Sequence, residues 1–530
     1  MRTRFRAPFR RPVFLLGLAA FLTALVVQSG ELGSSDTAHR LQATHSFWTS
    51  QPAVLPEDYP DFGLIGRGGR IYGWYGLGQS LLMLPSDIVG TYLEKLPIFA
   101  DYEGNDPSVR DMVVSVTTNT LVCVLAILMC FRFLRRLEFT VAQAMTGALG
   151  LLFATTFLHY TQNMLENNLI MLLTLTGFCF QYEWLRTGRT RALLYGSLAL
   201  GANLLVRLTT ALDLVAVGSF LLLVLLMEKA GWPNIKARLS AYLKIVTPCY
   251  ALFFAIDRAY QYYRFGSVFN TYLSVFAEQQ KQLDPSLPAN FPWSTPWRVG
   301  LLGPLITPEK SIFLFDPLIV LSLLLAPLLW KRLRPEMRAW LAVTALLVAT
   351  YIIFYARYMV WSGDFAWGDR YVSTAVEVLA MMAIPLLLRH RQQLRPLCFR
   401  TGLVLVAVSV AFQLASVAFW HPLEIYQMNT LGHPTFVIGL RFENIAAVAL
   451  GKVQAWGLSN SWTWDDPWQR LRSTTPYFLP FLLGKNADVP RWLAHTLAVA
   501  WFGLLAGLLA VLAVIRRRMA RQGFDGPAVV

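Results

Sequence analysis

Charge is what this chain has least of. Only 15% of its 530 residues are charged, against about a quarter in soluble domains, and that scarcity excludes an ordinary water-soluble globule. Cysteine is scarce too. Cys123, Cys130, Cys179, Cys249 and Cys398 sit singly in or beside apolar runs, with no C-x-x-C and no Cys/His cluster. Neither a disulfide framework nor a zinc site is indicated, and ordinary packing accounts for them. Heptads, internal repeats, low-complexity tracts and a separate soluble domain are also missing. The glycine-rich stretch GLIGRGGRIYGWYGLGQ has no strand before it and no GK[ST], which excludes a nucleotide loop. It reads as a compact turn ahead of an interfacial helix.

What is present is apolar length. Hydrophobic residues make up 55% and the mean hydropathy is +0.46. A membrane-spanning helix needs about 20 mostly apolar residues, and such runs recur along the chain. They predict an all-α polytopic membrane protein, one domain over 1–530, with about twelve spans. The first six are Pro12–Val27, Val113–Phe133, Val141–His159, Asn167–Trp184, Ala192–Val206 and Ala211–Met227. The rest are Tyr242–Ala259, Ser311–Trp330, Trp340–Tyr358, Val372–Leu388, Thr401–Phe419 and Trp492–Ile515. The N-terminus has the basic start and apolar core of a signal peptide but no A-x-A site, so a retained first span is expected.

The chain is basic, with 46 Lys and Arg against 31 Asp and Glu. Most of the excess lies in short clusters between spans, such as MRTRFRAPFRR, RFLRR, RTGRTR, KRLRPEMR and RRRMAR. That is the pattern of cytoplasmic loops, not of a nucleic-acid surface. Every cluster falls at the N-terminus or after an even-numbered span, so both termini are expected in the cytoplasm. The long hydrophilic segments 28–112, 260–310 and 420–491 then fall outside. Their Trp, Tyr and short apolar stretches suggest helices lying along the outer interface, most clearly in the first of them.

Three outer features carry candidate chemistry. Asp36 follows the first span, and Leu41, His45 and Trp48 mark one face of the helix after it. Ser34, Ser35 or Asp36 could cap that helix, and an ionised Asp36 there also suits a general base. Glu166 opens the fourth span amid Gln162, Asn163, Asn167 and Asn168, and acids at a membrane edge are functional candidates when they face a cavity. The stretch YARYMVWSGDFAWGDRYV gathers Arg357, Asp364, Asp369 and Arg370 with aromatic residues. Arginine there could clamp a phosphate or merely anchor at the interface. Arg207, Arg264 and Lys310 are further outer cations.

Together with RIYGWYGLGQSLLMLP, RFGSVFNTYLSVF and GLLGPLITPEKSIFLFDPLIVL, these features resemble the GT-C superfamily of integral-membrane glycosyltransferases. They look most like the bacterial polyprenyl-phosphate-sugar-dependent enzymes related to protein mannosyltransferases and aminoarabinose transferases. The resemblance implies a polyprenyl-phosphate-linked sugar donor, membrane lipids around the protein and a hydroxyl-bearing acceptor: glycolipid, cell-envelope polysaccharide or protein. It implies a periplasmic site in the bacterial inner membrane. Asp36 matches the family's catalytic base and Glu166 the second outer acid. Arg370, Lys310 and Arg207 would serve the donor phosphate, and His39, Asp369 and Trp367 the substrate site. Related enzymes often carry Asp-Glu in the first loop where Asp36 is followed by Thr37. No metal is therefore assigned, with a divalent cation left open. The competing readings are a lipid or sugar transporter or flippase, which predicts repeats or broken helices, and an O-antigen-ligase-like enzyme.

Overall fold

The structure, a computed structural model, describes residues 10–102, 107–429, 431–452, 475–486 and 488–522. The start of the basic N-terminal cluster, and 453–474 within the 420–491 segment, lie outside the described residues. The chain is built almost wholly of helices. Six of those described are long and apolar enough to cross a membrane: Val109–Arg136, Leu208–Met227, Trp232–Phe265, Pro335–Tyr355, Pro396–Ser416 and Arg491–Ala520. Over their most apolar windows the third and the last are only 11% buried. Apolar faces left open to that extent mark a membrane protein.

In chain order the helices begin with α1 (Arg10–Val27), α2 (Ser35–His45), α3 (Leu77–Glu94), α4 (Val109–Arg136), α5 (Val141–Phe153), α6 (Phe157–Gln162) and α7 (Asn167–Thr187). They continue with α8 (Thr190–Val206), α9 (Ala211–Met227), α10 (Trp232–Phe265), α11 (Tyr272–Leu283), α12 (Trp297–Ile306), α13 (Ile312–Phe315) and α14 (Leu318–Leu329). Then come α15 (Pro335–Tyr355), α16 (Ser373–Ala380), α17 (Ala383–Arg389), α18 (Pro396–Ser416), α19 (Pro422–Asn429) and α20 (Val437–Ala449), with Arg491–Gln522 last. Phe133, Phe178, Phe220 and Trp340 interlock at the centre, each pair with ring centroids 4.6–6.4 Å apart.

Three of the expected spans are not continuous. Val141–His159 divides into α5 and α6, Ser311–Trp330 into α13 and α14, and Val372–Leu388 into α16 and α17. One hydroxyl links them. Thr156 donates its backbone N–H to Asp316 Oδ1 at 2.7 Å, and its Oγ1 lies 3.0 Å from Asp316 Oδ2 and 2.9 Å from Glu377 Oε1. A break frees backbone groups that the bilayer cannot hydrate, so it survives only where side chains satisfy them. The glycine-rich stretch also differs from expectation. It forms a short antiparallel hairpin, Gly63–Ile65 with Ile71–Gly73, where a turn was expected. Strands of three residues are too short to show an alternating pattern. This one is fixed from outside by the Gln279 side chain, bonded to Ile65 N and O at 2.9 and 2.6 Å.

Helices α7 and α8 approach each other closely through glycines. A Cβ at Gly177 would stand 2.5 Å from Leu200 Cγ, and one at Gly196 would stand 2.7 Å from Gln181 Cγ. Gly177→Val is therefore expected to destabilise the protein by about 1–3 kcal/mol through overpacking. A thermal unfolding midpoint equal to or above wild type would contradict this packing.

Candidate functional site

The start of α2 is fixed before its charges are. Ser34 is the cap, accepting from the Thr37 backbone N–H at 3.2 Å, which leaves Asp36 in the first turn with its carboxylate directed elsewhere. Gly33 adopts φ +78 against Asn163, where a Cβ would come within 2.6 Å of the Asn163 Cα. Only glycine meets both demands. Next to it, Met164 N donates to Leu32 O at 3.1 Å, and the Thr37 hydroxyl donates to Met164 O. These contacts sew α2 to the residues just before Glu166. At the other end, Asp87 of α3 accepts from Trp48 Nε1 at 2.7 Å and pairs with His45 Nδ1 at 3.1 Å.

Five charged side chains then meet. Arg370 Nη1 donates to Asp36 Oδ2 at 2.5 Å, and Tyr75 OH donates to Asp36 Oδ1 at 3.0 Å. Arg40, one helical turn after Asp36, reaches Glu166 Oε2 at 2.9 Å, while Arg207 donates to Glu166 Oε1. Tyrosine rings fill the gaps. The Arg40 guanidinium lies 4.4 Å from the centre of Tyr75, and those of Arg207 and Arg370 lie 5.1 and 5.2 Å from Tyr371. Tyr75 is placed by Arg264, which donates to Tyr75 O at 3.1 Å and to Gly73 O.

Three cations against two anions leave one positive charge uncompensated within this group. Arg40 Nη1 and Arg370 Nε are buried and have no hydrogen-bond partner. Burial pushes the Asp36 pKa up, but Arg370 and Arg40 outweigh it and hold the carboxyl below the usual aspartate range. Glu166 is likewise raised by burial and lowered more by Arg40 and Arg207, ending well below the usual glutamate range. Both are therefore carboxylates at neutral pH. Such a cluster can accept a proton late in a reaction, and a guanidinium that lets go of its carboxylate can hold an anion.

A cavity of about 620 Å³ opens beside the Asp36–Arg370 pair. The loop from Glu31 to Asp36 forms one wall, Asp364 to Ala366 a second, and Trp420, His421 and Tyr426 a third. The 420–491 segment, which carries no motif that places it, thus supplies a wall of the site.

Of the sequence candidates, Asp36, Glu166, Arg370 and Arg207 come together. Lys310 stands behind them. Its ammonium donates to the carbonyls of Asp364, Ala366 and Gly368 at 2.5, 2.7 and 3.3 Å, spending all three N–H bonds on the loop that leads to Arg370. Burial pushes its pKa down to about 8. Asp369 accepts from Tyr371 N at 3.0 Å, with burial raising its pKa to about 7. Trp367 is fully buried, stacked on His159 with centroids 5.6 Å apart. His39 stacks on Phe62 at 4.0 Å and lies 3.5 Å from Asp58. Arg357 packs on Trp297, away from the cluster.

Sequence reasoning missed Arg40 and Tyr75. Arg40 was accessible to it, standing four residues after Asp36 and so on the same helix face. Tyr75 had no such signal. The donor set around Asp36 does not fit a divalent cation. Both its oxygens are already bonded to Tyr75 and Arg370, and the Thr37 hydroxyl is spent on Met164 O. Among the described residues no group of three or more His, Cys, Asp or Glu is placed to share a metal. No family model matches this chain, and no curated protein matches it either.

The depressed Glu166 pKa makes stability depend on pH. A carboxyl whose folded value lies below its unfolded one stabilises the fold above the unfolded value, 4.5, and loses that contribution as pH falls. Between pH 5 and pH 3 the wild-type unfolding midpoint should fall more steeply than that of Glu166→Gln. The variant should start lower, by about 3–5 kcal/mol, because Arg40 and Arg207 lose their buried counter-charge. Parallel pH profiles for the two proteins would rule this account out.

Proposed function

We propose that this protein is a membrane glycosyltransferase of the GT-C kind, moving a sugar from a polyprenyl-phosphate carrier to a hydroxyl acceptor. In this reading about twelve segments cross the bacterial inner membrane, three of them as broken helices. Both termini are cytoplasmic and the cavity faces the periplasm. One observation carries the proposal. Asp36 and Arg370, 334 residues apart, meet at 2.5 Å on the wall of the same cavity. They are the base and the phosphate-binding cation that the reaction needs.

The chemistry follows from their charges. The acceptor oxygen bonds to the anomeric carbon as the bond from that carbon to the phosphate oxygen breaks. The hydroxyl proton passes to Asp36, and the phosphate leaves with the bonding electrons, its new charge taken up by Arg370. A carboxylate of depressed basicity suffices, because the acceptor hydroxyl becomes strongly acidic once it bonds to the sugar. A phosphate that engages Arg370 also loosens its hold on Asp36 and raises the basicity of that carboxylate as the donor arrives. Inversion at the anomeric carbon, by single displacement, is what the family resemblance implies. Positioning and charge stabilisation do the work, so no nucleotide site is required. Lys310 contributes by holding the loop that presents Arg370, and Arg207 by holding Glu166.

A second reading, transport or flipping of a lipid-linked sugar, draws on the three broken helices, a feature of many transporters. The two are separated by transfer assays with a panel of polyprenyl-phosphate sugars and the protein in proteoliposomes. Asp36→Asn should lower transfer by about a hundredfold or more while remaining folded and monodisperse. Arg370→Ala should raise the KM for donor. Full activity in Asp36→Asn would remove the base assignment. Movement of carrier lipid across the bilayer with no glycosylated product would favour transport.

A further inference from the structure

Opposite the charged pair, the cavity wall built by α19 is different in kind. His421 lines the cavity and is only 5% exposed, yet neither ring nitrogen has a hydrogen-bond partner. Its nearest charge, Glu424 Oε2, stands 3.7 Å from Nδ1, beyond bonding reach. Buried polar groups are nearly always satisfied, and an exception calls for a reason.

The surroundings limit what that reason can be. Glu424 is already committed, accepting from Arg441 Nε and Nη2 at 2.6 and 2.7 Å and from Asn444 at 3.0 Å. Arg441 in turn donates to the carbonyls of Phe419 and Ser416 at 2.7 and 3.0 Å, which locks the wall from behind. The His421 ring is held edge-on against Trp367 and His159, with centroids 5.6 and 5.9 Å apart. Burial lowers its pKa despite the attraction of Glu424. The ring is therefore neutral, with one N–H donor and one lone pair. A cation here would find Glu424 spent, and an anion would face the lone pair and bring charge into a neutral wall. A hydroxyl, both donor and acceptor, fits. Trp420 and Tyr426 line the same wall.

We infer that the α19 wall seats a neutral, polyhydroxylated head group of the acceptor, with His421 as its hydrogen-bonding partner. This deepens the glycosyltransferase reading and rests on it for the word acceptor. The cavity then has a charged end for the donor phosphate and a neutral end for the group to be glycosylated, with Asp36 on the same cavity.

The test uses the full-length protein in lipid nanodiscs, titrated calorimetrically with octyl glycosides of three epimeric hexoses below their micelle threshold. Octyl phosphate is the charged control. At least one glycoside should bind, and at least tenfold more weakly to His421→Ala. His421→Gln, which keeps a donor and an acceptor, should restore most of that loss. If His421→Ala does not fold, Ile425→Trp fills the same wall and should weaken glycoside binding equally. The inference is overturned if no octyl glycoside binds, or if these variants bind the glycosides like wild type. Glycoside binding without transfer from any polyprenyl-phosphate sugar would keep the subsite and remove glycosyl transfer. Transfer with glycoside binding indifferent to His421 would do the reverse.

Discussion

Three guanidinium groups and two carboxylates share the space between α2, the start of α7, the end of α8 and the loop before α16. Taking such charges out of water costs several kcal/mol each unless they are paired and hydrogen-bonded. Here the pairing is also the architecture. Arg370 ties the loop before α16 to α2, and Glu166 ties α2 to α8 through Arg40 and Arg207. Asp36 and Arg40, on one face of one helix, join the two pairs into a single unit. Removing any member would leave a neighbour buried without its counter-charge.

The elements around this unit serve to hold it. Gly33 and Thr37 press α2 onto Asn163 and Met164, Arg264 sets Tyr75, and Lys310 gathers the carbonyls that precede Arg370. The broken helices meet at Thr156, where a hydroxyl with one proton lies between two buried carboxyl groups. Its single hydrogen can serve only one of them at a time.

Much of this was legible in the sequence, and what escaped did so for physical reasons. Apolar run length located the helices and their order, because burying or lipid-facing surface must be apolar whatever the tertiary arrangement. It missed the breaks after Phe153, Phe315 and Ala380, since two Thr, one Asp or two Met scarcely lower the hydropathy of a long run. The charged candidates stood out because charge is rare here. Their partners did not, since contacts across 41 to 334 residues leave no local trace. Arg40 lay in plain view one helical turn after Asp36, but Leu41, His45 and Trp48 were read as the face that mattered. The wall of Trp420, His421 and Tyr426 carried no spacing that could place it at the cavity.

By itself the sequence determined an almost wholly helical chain with an apolar frame, and a few charges at the ends of its helices, because hydrophobic length and charge scarcity act locally. Only the tertiary structure decided which charges meet. It gave Asp36 to Arg370 and Tyr75, turned Lys310 to the backbone of its own loop, and brought α19 to the cavity. Pairing across a fold is set by the cost of burying each charge alone, and that cost exists only once the chain has closed around it.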